Sequence, residues 1–292
     1  MRLHLVDGTY ELVRAHFAPG PSRRDALGRD VKACVGMMSS LVKLLHDSTE
    51  DVTHIAVAFD DPVESFRNRL YPAYKSSDAL PPDVLQQFGL AQQGIKALGV
   101  TLWPQDEFEA DDAIATAALW GQTQFDAVRI LSPDKDFGQL VNDRITQVDR
   151  SRNREFDEAG VIDRLGVPPA AVALFLAIAG DAADGISGVP RFGATTAATL
   201  LNRYPTLCQI PEDCDAWDVA LRGRQKLCEI FNAHRDDVEV FLSLTTLRTD
   251  VPLQLDRDTL HFAGVPHDSF VAWCEEVQAE SLKTRPTRWL LP

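Results

Sequence analysis

Acidic residues recur where strand-like apolar runs end in the first half of the chain. They are Asp7, Asp60, Asp61, Asp106, Glu107, Glu109, Asp134 and Asp136. In open α/β sheets the loops at these strand ends face one crevice, so we expect several carboxylates to converge. Crowded carboxylates repel one another unless cations neutralise them, and oxygen-only ligands suit Mg²⁺ or Mn²⁺ better than zinc. Two such ions are typical of phosphodiester hydrolysis.

A structural explanation competes for one of these groups. Glu109 and Asp112 lie three residues apart at the start of a predicted helix, which places both side chains on one face. Carboxylates are common in a first helical turn because the helix dipole attracts them. Metal binding and helix capping therefore both remain open for this pair.

Short β-rich runs alternate with segments of helical period in the first half of the chain, a pattern typical of a sheet with crossover helices. The predicted strands are residues 3–6, 54–59, 100–103, 127–131 and 145–148. The predicted helices between them are residues 31–46, 82–98 and 110–119. The fold class is therefore α/β, with a mostly parallel central sheet flanked by helices.

Only helical periods follow, at residues 158–165, 169–179, 194–201, 226–233 and 238–247. We therefore predict three parts: an α/β core at 1–156, an all-helical subdomain at 157–252, and a C-terminal segment at 253–292 that packs back on the core. The last segment shows no clear period, and no element is predicted in it.

The composition limits the class of protein. The 292 residues carry a formal net charge of −14, which argues against a protein that simply coats nucleic acid. No apolar run approaches the roughly 18 to 20 residues that span a bilayer, and no secretory leader precedes the first strand, so we expect a cytoplasmic protein without membrane association. The five cysteines form no C-x-x-C pair and predict buried thiols, with neither a disulfide framework nor a zinc site.

Several motifs resemble the 5′ nuclease family, which comprises the flap endonucleases and the 5′-to-3′ exonuclease domain of bacterial DNA polymerase I. The shorter ones are Leu5-Val6-Asp7-Gly8, Ala58-Phe59-Asp60, Phe66-Arg67, Tyr71-Pro72, Tyr74-Lys75, Glu109-Ala110-Asp111-Asp112 and Asp134-Lys135-Asp136. The most specific is GDAADGISGVP at residues 180–190, which is similar to the family's G-D-x-x-D-N-I-P-G-V-P. The resemblance implies a PIN-like 5′ nuclease core with a helical arch near residues 63–95, and a helix-hairpin-helix-type (H3TH) DNA-binding motif in the helical subdomain.

The resemblance also implies a role for each matching residue. Nine acidic residues match the family's cluster for two or more Mg²⁺ or Mn²⁺ ions: Asp7, Asp60, Glu109, Asp111, Asp112, Asp134, Asp136, Asp181 and Asp184. The implied catalytic cations are Lys75 and Arg67, which would steady the scissile phosphate. The implied DNA-binding residues are Arg67, Arg69, Tyr74, Lys75, Gly188, Arg191, Gly193, Thr195 and Thr196. A K⁺ site is implied at the H3TH turn, near the carbonyl of Val189.

A few positions depart from the family pattern. Asp78 stands where the family usually has a basic residue, and Ala194-Thr195 stands where a Glu-Lys pair is usual. Gly185 replaces an Asn, and Pro133 replaces a Gly. We expect slower catalysis or an altered substrate preference.

The sequence thus predicts a structure-selective 5′ nuclease, a flap endonuclease and 5′-to-3′ exonuclease that uses two-metal-ion catalysis in replication or repair. Its expected partners are DNA with a 5′ flap or a single-strand/duplex junction and, beside it at the bacterial nucleoid, a DNA polymerase or ligase. We expect a monomer, and a separate protein because no polymerase-like sequence follows. The alternative is a catalytically weak DNA-junction binding protein of the same fold, although such a binder has no need for a complete carboxylate set. A nucleotide-binding enzyme is excluded because no G-x-G-x-x-G or Walker loop follows a strand.

Overall fold

The computed structural model describes residues 1–60, 65–75 and 80–290. The strands are β1 (Arg2–Asp7), β2 (His54–Asp60), β3 (Thr101–Gln105), β4 (Ala127–Leu131), β5 (Ile145–Asp149) and β6 (Arg154–Phe156). The α-helices in these ranges are α1 (Gly8–Phe17), α2 (Lys32–Leu45), α3 (Phe66–Leu70), α4 (Pro82–Leu85), α5 (Phe88–Ala97), α6 (Ala110–Gln124), α7 (Glu158–Leu165), α8 (Val172–Ala179), α9 (Ala194–Arg203), α10 (Arg224–Ala233), α11 (Arg235–Thr245), α12 (Arg257–Leu260) and α13 (His267–Glu276).

The described residues divide into two compact units. Residues 1–60, 80–132 and 249–290 form one, called the core unit below. Residues 65–75 and 133–248 form the other, called the helical unit.

The core unit is built on four parallel strands in the order β3-β2-β1-β4. The central strand β1 is buried along almost its whole length, as expected where helices cover both faces of a parallel sheet. In the register, Asp7 at the end of β1 pairs with Ala58, and Asp60 at the end of β2 pairs with Gln105. The carboxyl ends of these strands therefore meet at one edge of the sheet.

Helix α6 packs closely on this sheet because its residues are small. Five of its fifteen residues are alanine, and all five are buried. A Cβ on Gly121 would lie 2.6 Å from the Leu3 side chain of β1, so a larger residue at this contact would require that side chain to shift. Close packing of α6 holds its first turn near the strand ends.

A hydrogen-bond network ties the loop after α2 to the sheet of the core unit. Glu50 accepts hydrogen bonds from His4 Nε2 on β1 and from Arg129 Nη2 on β4, each at 3.0 Å. These hydrogen bonds, first that of His4 and then that of Arg129, lower the pKa of Glu50 from 4.5 to about 2, against the opposing effect of burial. The carboxylate of Glu50 therefore stabilises the core unit as an anion.

The helical unit has its own apolar core around α8. The eight residues of α8, VALFLAIA, are all apolar, and six of them are buried. Residues of α7, α9, α10 and α11 pack into the same cluster, and β5 and β6 form an antiparallel pair in this unit. The helical periods predicted after residue 157 belong to helices that pack around this second apolar core.

Most predicted elements are present, with some corrections. The predicted helix at 82–98 is two helices, α4 and α5, broken at Gln87. The Gln87 side chain is fully buried and accepts hydrogen bonds from the backbone N–H groups of Ala33 and Cys34, at the start of α2. The sequence reading missed α1, α3, β6, α12 and α13.

The prediction of buried thiols was wrong for three of the five cysteines. Cys214 and Cys228 form a disulfide that ties the 3-10 turn Cys214–Ala216 to α10. Cys34 and Cys274 are buried thiols, whereas the thiol of Cys208 is exposed. A spacing of 14 residues carries no disulfide signature by itself, so the pairing became visible only once the turn and the helix lay together.

Among the described helices, none is by itself long and apolar enough to cross a membrane. The bent pair Glu158–Leu165 and Pro169–Ala179 meets the length and composition criteria when taken together.

Candidate metal centre

Three aspartates of the helical unit lie close enough together to hold a metal ion. One carboxylate oxygen from each of Asp136, Asp181 and Asp184 lies within 4.8 Å of the other two, and all three residues are buried. Across residues 1–60, 65–75 and 80–290, no other set of three His, Cys, Asp or Glu side chains meets that distance. These three residues are called the buried aspartate cluster below.

Two short loops position this cluster. Asp134 caps the 3-10 helix Lys135–Leu140 by accepting a hydrogen bond of 3.1 Å from the backbone N–H of Asp136. Asp181 and Ile186 exchange two main-chain hydrogen bonds of 2.8 Å each, which close the loop that carries Asp181 and Asp184.

The second loop requires glycine where it closes. Gly180 and Gly188 have φ angles of 85° and 67°, in the left-handed region that glycine adopts without a steric penalty. A Cβ on Gly188 would lie 2.4 Å from the backbone nitrogen of Gly180. Backbone therefore packs directly on backbone, which explains Gly180 and Gly188, two of the three glycines in the GDAADGISG motif.

Two lysines already neutralise part of the cluster. Lys135 Nζ lies 2.8 Å from Asp181 Oδ2, and Lys75 Nζ lies 2.9 Å from Asp184 Oδ1. The backbone N–H of Lys75 also donates to the carbonyl of Asp184 at 3.1 Å. The segment that carries Lys75 is thus held to the second loop by backbone and side chain.

Asp136 differs from the other two members. Within the described part of the chain, no hydrogen-bond donor reaches its Oδ1 atom, although the residue is only 6% exposed. Burial raises the pKa of the Asp136 carboxyl well above its usual value, and Asp134, Asp184 and Asp181 raise it further. Burial also raises the pKa of Asp184, against the opposing effect of Lys75.

The residues present fit a divalent cation. A buried carboxylate oxygen without a partner is costly, and a cation bound beside it removes that cost. The donors are carboxylate oxygens alone, which are the ligands that Mg²⁺ and Mn²⁺ prefer.

The carboxylates at the strand ends of the core unit are each held by a hydrogen bond. Asp7 caps α1 by accepting from the backbone N–H of Tyr10 at 2.8 Å, and it accepts a second bond of 2.9 Å from the hydroxyl of Ser132. Asp60 accepts from the backbone N–H of Ala110 at 2.8 Å, which links the end of β2 to the first turn of α6. Both side chains therefore lie at the edge where they were predicted.

The helix-capping explanation is present for Glu109 and Asp112. They form a capping box at the start of α6, in which the Glu109 N–H donates to Asp112 Oδ2 at 3.1 Å. Asp112 is fully buried, whereas Asp111 is partly exposed. A cap uses only part of the acceptor capacity of a carboxylate, so the metal roles of these residues stay predictions.

Lys75, Arg67 and Tyr74 have different environments within the helical unit. Lys75 is 37% exposed and reaches the cluster. Arg67 is 1% exposed, and its guanidinium donates to the carbonyls of Leu244 at 2.8 Å and Thr246 at 3.4 Å. Tyr74 is also buried. Contact of Arg67 or Tyr74 with DNA stays a prediction that requires these side chains to leave their present neighbours, whereas Arg69 is exposed.

The predicted H3TH turn joins α8 to α9. Arg191, Gly193 and Thr195 are exposed, and Thr196 is half-buried at the start of α9. Gly188 is buried at the closing contact described above. The carbonyl of Val189, the predicted K⁺ ligand, accepts a hydrogen bond of 3.0 Å from the Phe192 N–H.

Part of the predicted arch lies outside the description. Residues 61–64 and 76–79 are outside the described residues, and Asp78, the departure noted from the sequence, is among them.

The sequence reading missed residues that hold the Asp134 loop. Gln147 Nε2 donates to the carbonyl of Asp134, and Arg164 donates to the carbonyl of Pro133 at 2.7 Å. The Arg164 guanidinium lies 4.8 Å from the centre of the Phe156 ring, and burial lowers the pKa of Arg164. These contacts join residues far apart in the sequence, so no local sequence motif predicts them.

Comparison with known families agrees with this geometry. Residues 2–166 match the model described as "5'-3' exonuclease, N-terminal resolvase-like domain", and residues 167–268 match "5'-3' exonuclease, C-terminal SAM fold". The chain therefore belongs to the 5′-3′ exonuclease family.

Relatives of known identity are bacterial DNA polymerases I. The chain is 36% identical to DNA polymerase I of Rhizobium leguminosarum over 264 residues, which are 88% of this chain and 26% of that protein. It is 32% identical to DNA polymerase I of Mycobacterium tuberculosis over 289 residues, which are 97% of this chain and 31% of that protein. The chain thus spans less than a third of the length of these relatives.

Solved structures share the fold at lower identity. The 5′-exonuclease of bacteriophage T5 with bound divalent zinc ions aligns with a TM-score of 0.69 at 21% identity, covering 96% of this chain and 99% of that one. The catalytic core of Rad2 in complex with a DNA substrate aligns with a TM-score of 0.59 at 16% identity, covering 97% and 92%. The predicted 5′ nuclease family and fold class are thereby confirmed.

Proposed function

We propose that the chain hydrolyses DNA phosphodiesters near a junction of single strand and duplex, as a flap endonuclease and 5′-to-3′ exonuclease. The observation that carries the proposal is the buried aspartate cluster, with its unpartnered Asp136 oxygen beside two further carboxylates. A protein that only bound DNA junctions would gain nothing from this costly arrangement.

The donor chemistry supports divalent cations as the cofactors, and we propose Mg²⁺ or Mn²⁺. Asp136, Asp181, Asp184 and Asp134 would hold one ion, some of them through water. Asp7, Asp60, Glu109, Asp111 and Asp112 would hold the ion nearest the scissile phosphate. Bound ions of this kind supply an activated water and stabilise the leaving oxygen.

The chain's own cations complete the proposal. Lys75 would steady the scissile phosphate, because its ammonium reaches the cluster and its side chain is 37% exposed. Arg67 is proposed to support it by holding its own segment to the end of α11. Arg69, Arg191 and the first turn of α9 would contact the DNA backbone, where backbone N–H groups and the helix dipole favour phosphate.

Further parts of the proposal rest on the family resemblance. They are a K⁺ ion at the carbonyl of Val189, a DNA polymerase or ligase as partner, a monomeric state and action in replication or repair. We keep the division at 1–156, 157–252 and 253–292 as the proposed functional organisation.

The test is cleavage of a 5′-end-labelled flap duplex with Mg²⁺ or Mn²⁺. Wild type should incise near the junction, while Asp136→Asn and Asp111→Asn should each lose incision by several orders of magnitude. Asp157→Asn is the matched control, because Asp157 caps α7 outside the cluster and asparagine caps a helix as well as aspartate does.

The outcome separates the two functions predicted from the sequence. Metal-dependent incision that is lost in Asp136→Asn and Asp111→Asn and kept in Asp157→Asn supports the nuclease. Binding of the flap duplex without incision in either metal favours the junction-binding alternative.

A further inference from the structure

The Lys135 side chain forms an ion pair inside the buried aspartate cluster. Lys135 lies between Asp134 and Asp136, and its ammonium pairs with Asp181 at 2.8 Å. Asp181 is itself buried, at 3% exposure. A buried carboxylate needs a counter-charge, and here a lysine supplies it from the neighbouring loop.

We propose that Lys135 is a resident counter-ion of the buried aspartate cluster, one that holds Asp181 when no divalent cation is bound and opposes cation binding. This inference rests on the proposed metal site and adds a positioning residue to it. Lys135 would thereby set how tightly the cluster binds its ion.

Hydrogen bonds hold the backbone next to Lys135, whereas its side chain is held by the pair with Asp181. Asp134 caps the 3-10 helix that begins at Lys135, and Gln147 and Arg164 hold the carbonyls of the two residues before it. The Lys135 side chain is 31% exposed, which leaves it room to turn away from the cluster. A cation that binds Asp181 has to displace this ammonium or remain beside it.

Lys75 and Lys135 differ in a way that suits them to separate roles. Lys75 is paired through backbone and side chain to Asp184, on the segment for which we propose contact with the phosphate. Lys135 pairs with Asp181 through its side chain, and its neighbours in sequence are two proposed ligands. Its charge therefore acts on the ion site more directly than on the DNA.

The expected effect follows from Coulomb repulsion. Removing one positive charge a few ångström from a divalent ion near the protein surface should tighten ion binding by about 3- to 10-fold. Merely structural damage to the site would weaken ion binding, so the direction of the change identifies the role.

The experiment measures Mn²⁺ binding to the full chain by titration calorimetry without DNA. Lys135→Met and Lys135→Gln should bind Mn²⁺ more tightly than wild type, and Lys135→Arg should stay close to wild type because it keeps the charge. Lys226→Met is the matched control, since Lys226 forms an exposed pair with Glu229 on α10. In EDTA, Lys135→Met should also melt at a lower temperature than wild type, and added Mn²⁺ should narrow that gap.

Two results would overturn the inference, and they are distinguishable. If wild type binds Mn²⁺ at the cluster but Lys135→Met and Lys135→Gln bind it equally or more weakly, Lys135 is not an opposing counter-ion. If wild type and Asp136→Asn take up Mn²⁺ identically, the proposed cation site itself fails, and the inference fails with it.

Discussion

At Gly185 both the backbone conformation and a close backbone contact restrict which residue the structure accepts. The family pattern has asparagine there, and this chain has glycine. Gly185 has a φ angle of 74°, and a Cβ added to it would lie 2.3 Å from the carbonyl oxygen of Ala73. The same loop accepts a hydrogen bond from the backbone N–H of Lys75 through the carbonyl of Asp184. We therefore expect Gly185→Ala to push the segment that carries Lys75 away from the buried aspartate cluster.

Two contributions determine the magnitude. An alanine in the left-handed region costs about 1 to 2 kcal/mol relative to glycine. Overpacking against a backbone carbonyl adds about 1 to 3 kcal/mol. The substitution should thus lower the free energy of unfolding by about 2 to 5 kcal/mol.

Gly223→Ala separates these contributions. Gly223 also has a φ angle of 74° in the helical unit, but nothing lies within 4 Å of the position of its Cβ. Gly223→Ala should therefore lower the free energy of unfolding only by the conformational contribution, about 1 to 2 kcal/mol. Urea denaturation measures the free energies, and flap cleavage reports the displacement of Lys75. Equal losses in Gly185→Ala and Gly223→Ala, with cleavage unchanged, would refute the contact with Ala73 as the constraint.

Four further predictions follow from individual contacts. Glu50→Gln should cost about 3 kcal/mol at pH 7, because the pKa of Glu50 is lowered to about 2 in the fold. That stability is present above pH 4.5 and is lost as the pH falls toward 2, so urea curves of wild type and variant should converge between these values. Asp136→Asn should raise the melting temperature in EDTA, because it removes a buried charge. The same substitution should abolish the rise in melting temperature that Mn²⁺ causes in wild type. A rise equal to that of wild type would contradict this prediction. Reduction of the Cys214–Cys228 disulfide, or Cys214→Ser, should cost about 3 kcal/mol by urea denaturation, given a separation of 14 residues. Asp7→Asn should keep the stability of wild type and Asp7→Ala should lose about 1 kcal/mol by the same measurement, because asparagine caps α1 and alanine does not.

The positions of the strand-end carboxylates could be predicted because they depend on local rules. A buried β-rich run predicts a strand, and parallel strands end at one edge, so Asp7 and Asp60 follow from their neighbours in sequence. The loop that carries Asp181 was recognised by its resemblance to the family motif, and the structure shows that its glycines are needed by the backbone itself.

The partners of those carboxylates could not be predicted in the same way. Lys135 pairs with a residue 46 positions later, and Arg67 donates to a carbonyl 177 positions later. The sequence does not distinguish an exposed lysine from a buried one, because the exposure of a side chain depends on how the folded chain packs around it. The break at Gln87 has the same origin, because its side chain serves the start of a different helix.

Helix capping and metal binding were alternative explanations for Glu109 and Asp112. The structure shows the capping, and the metal role of the pair stays a prediction. Asp7, Asp134 and Asp112 each accept a backbone N–H at a helix start. Such bonds fix the direction of a carboxylate before any cation arrives, which reduces the ordering cost of cation binding. Asp136 lacks such a bond at its Oδ1 within the described chain, although the residue is only 6% exposed. An oriented carboxylate is therefore suited both to capping a helix and to the cation binding that we propose for Asp7, Asp112 and Asp134.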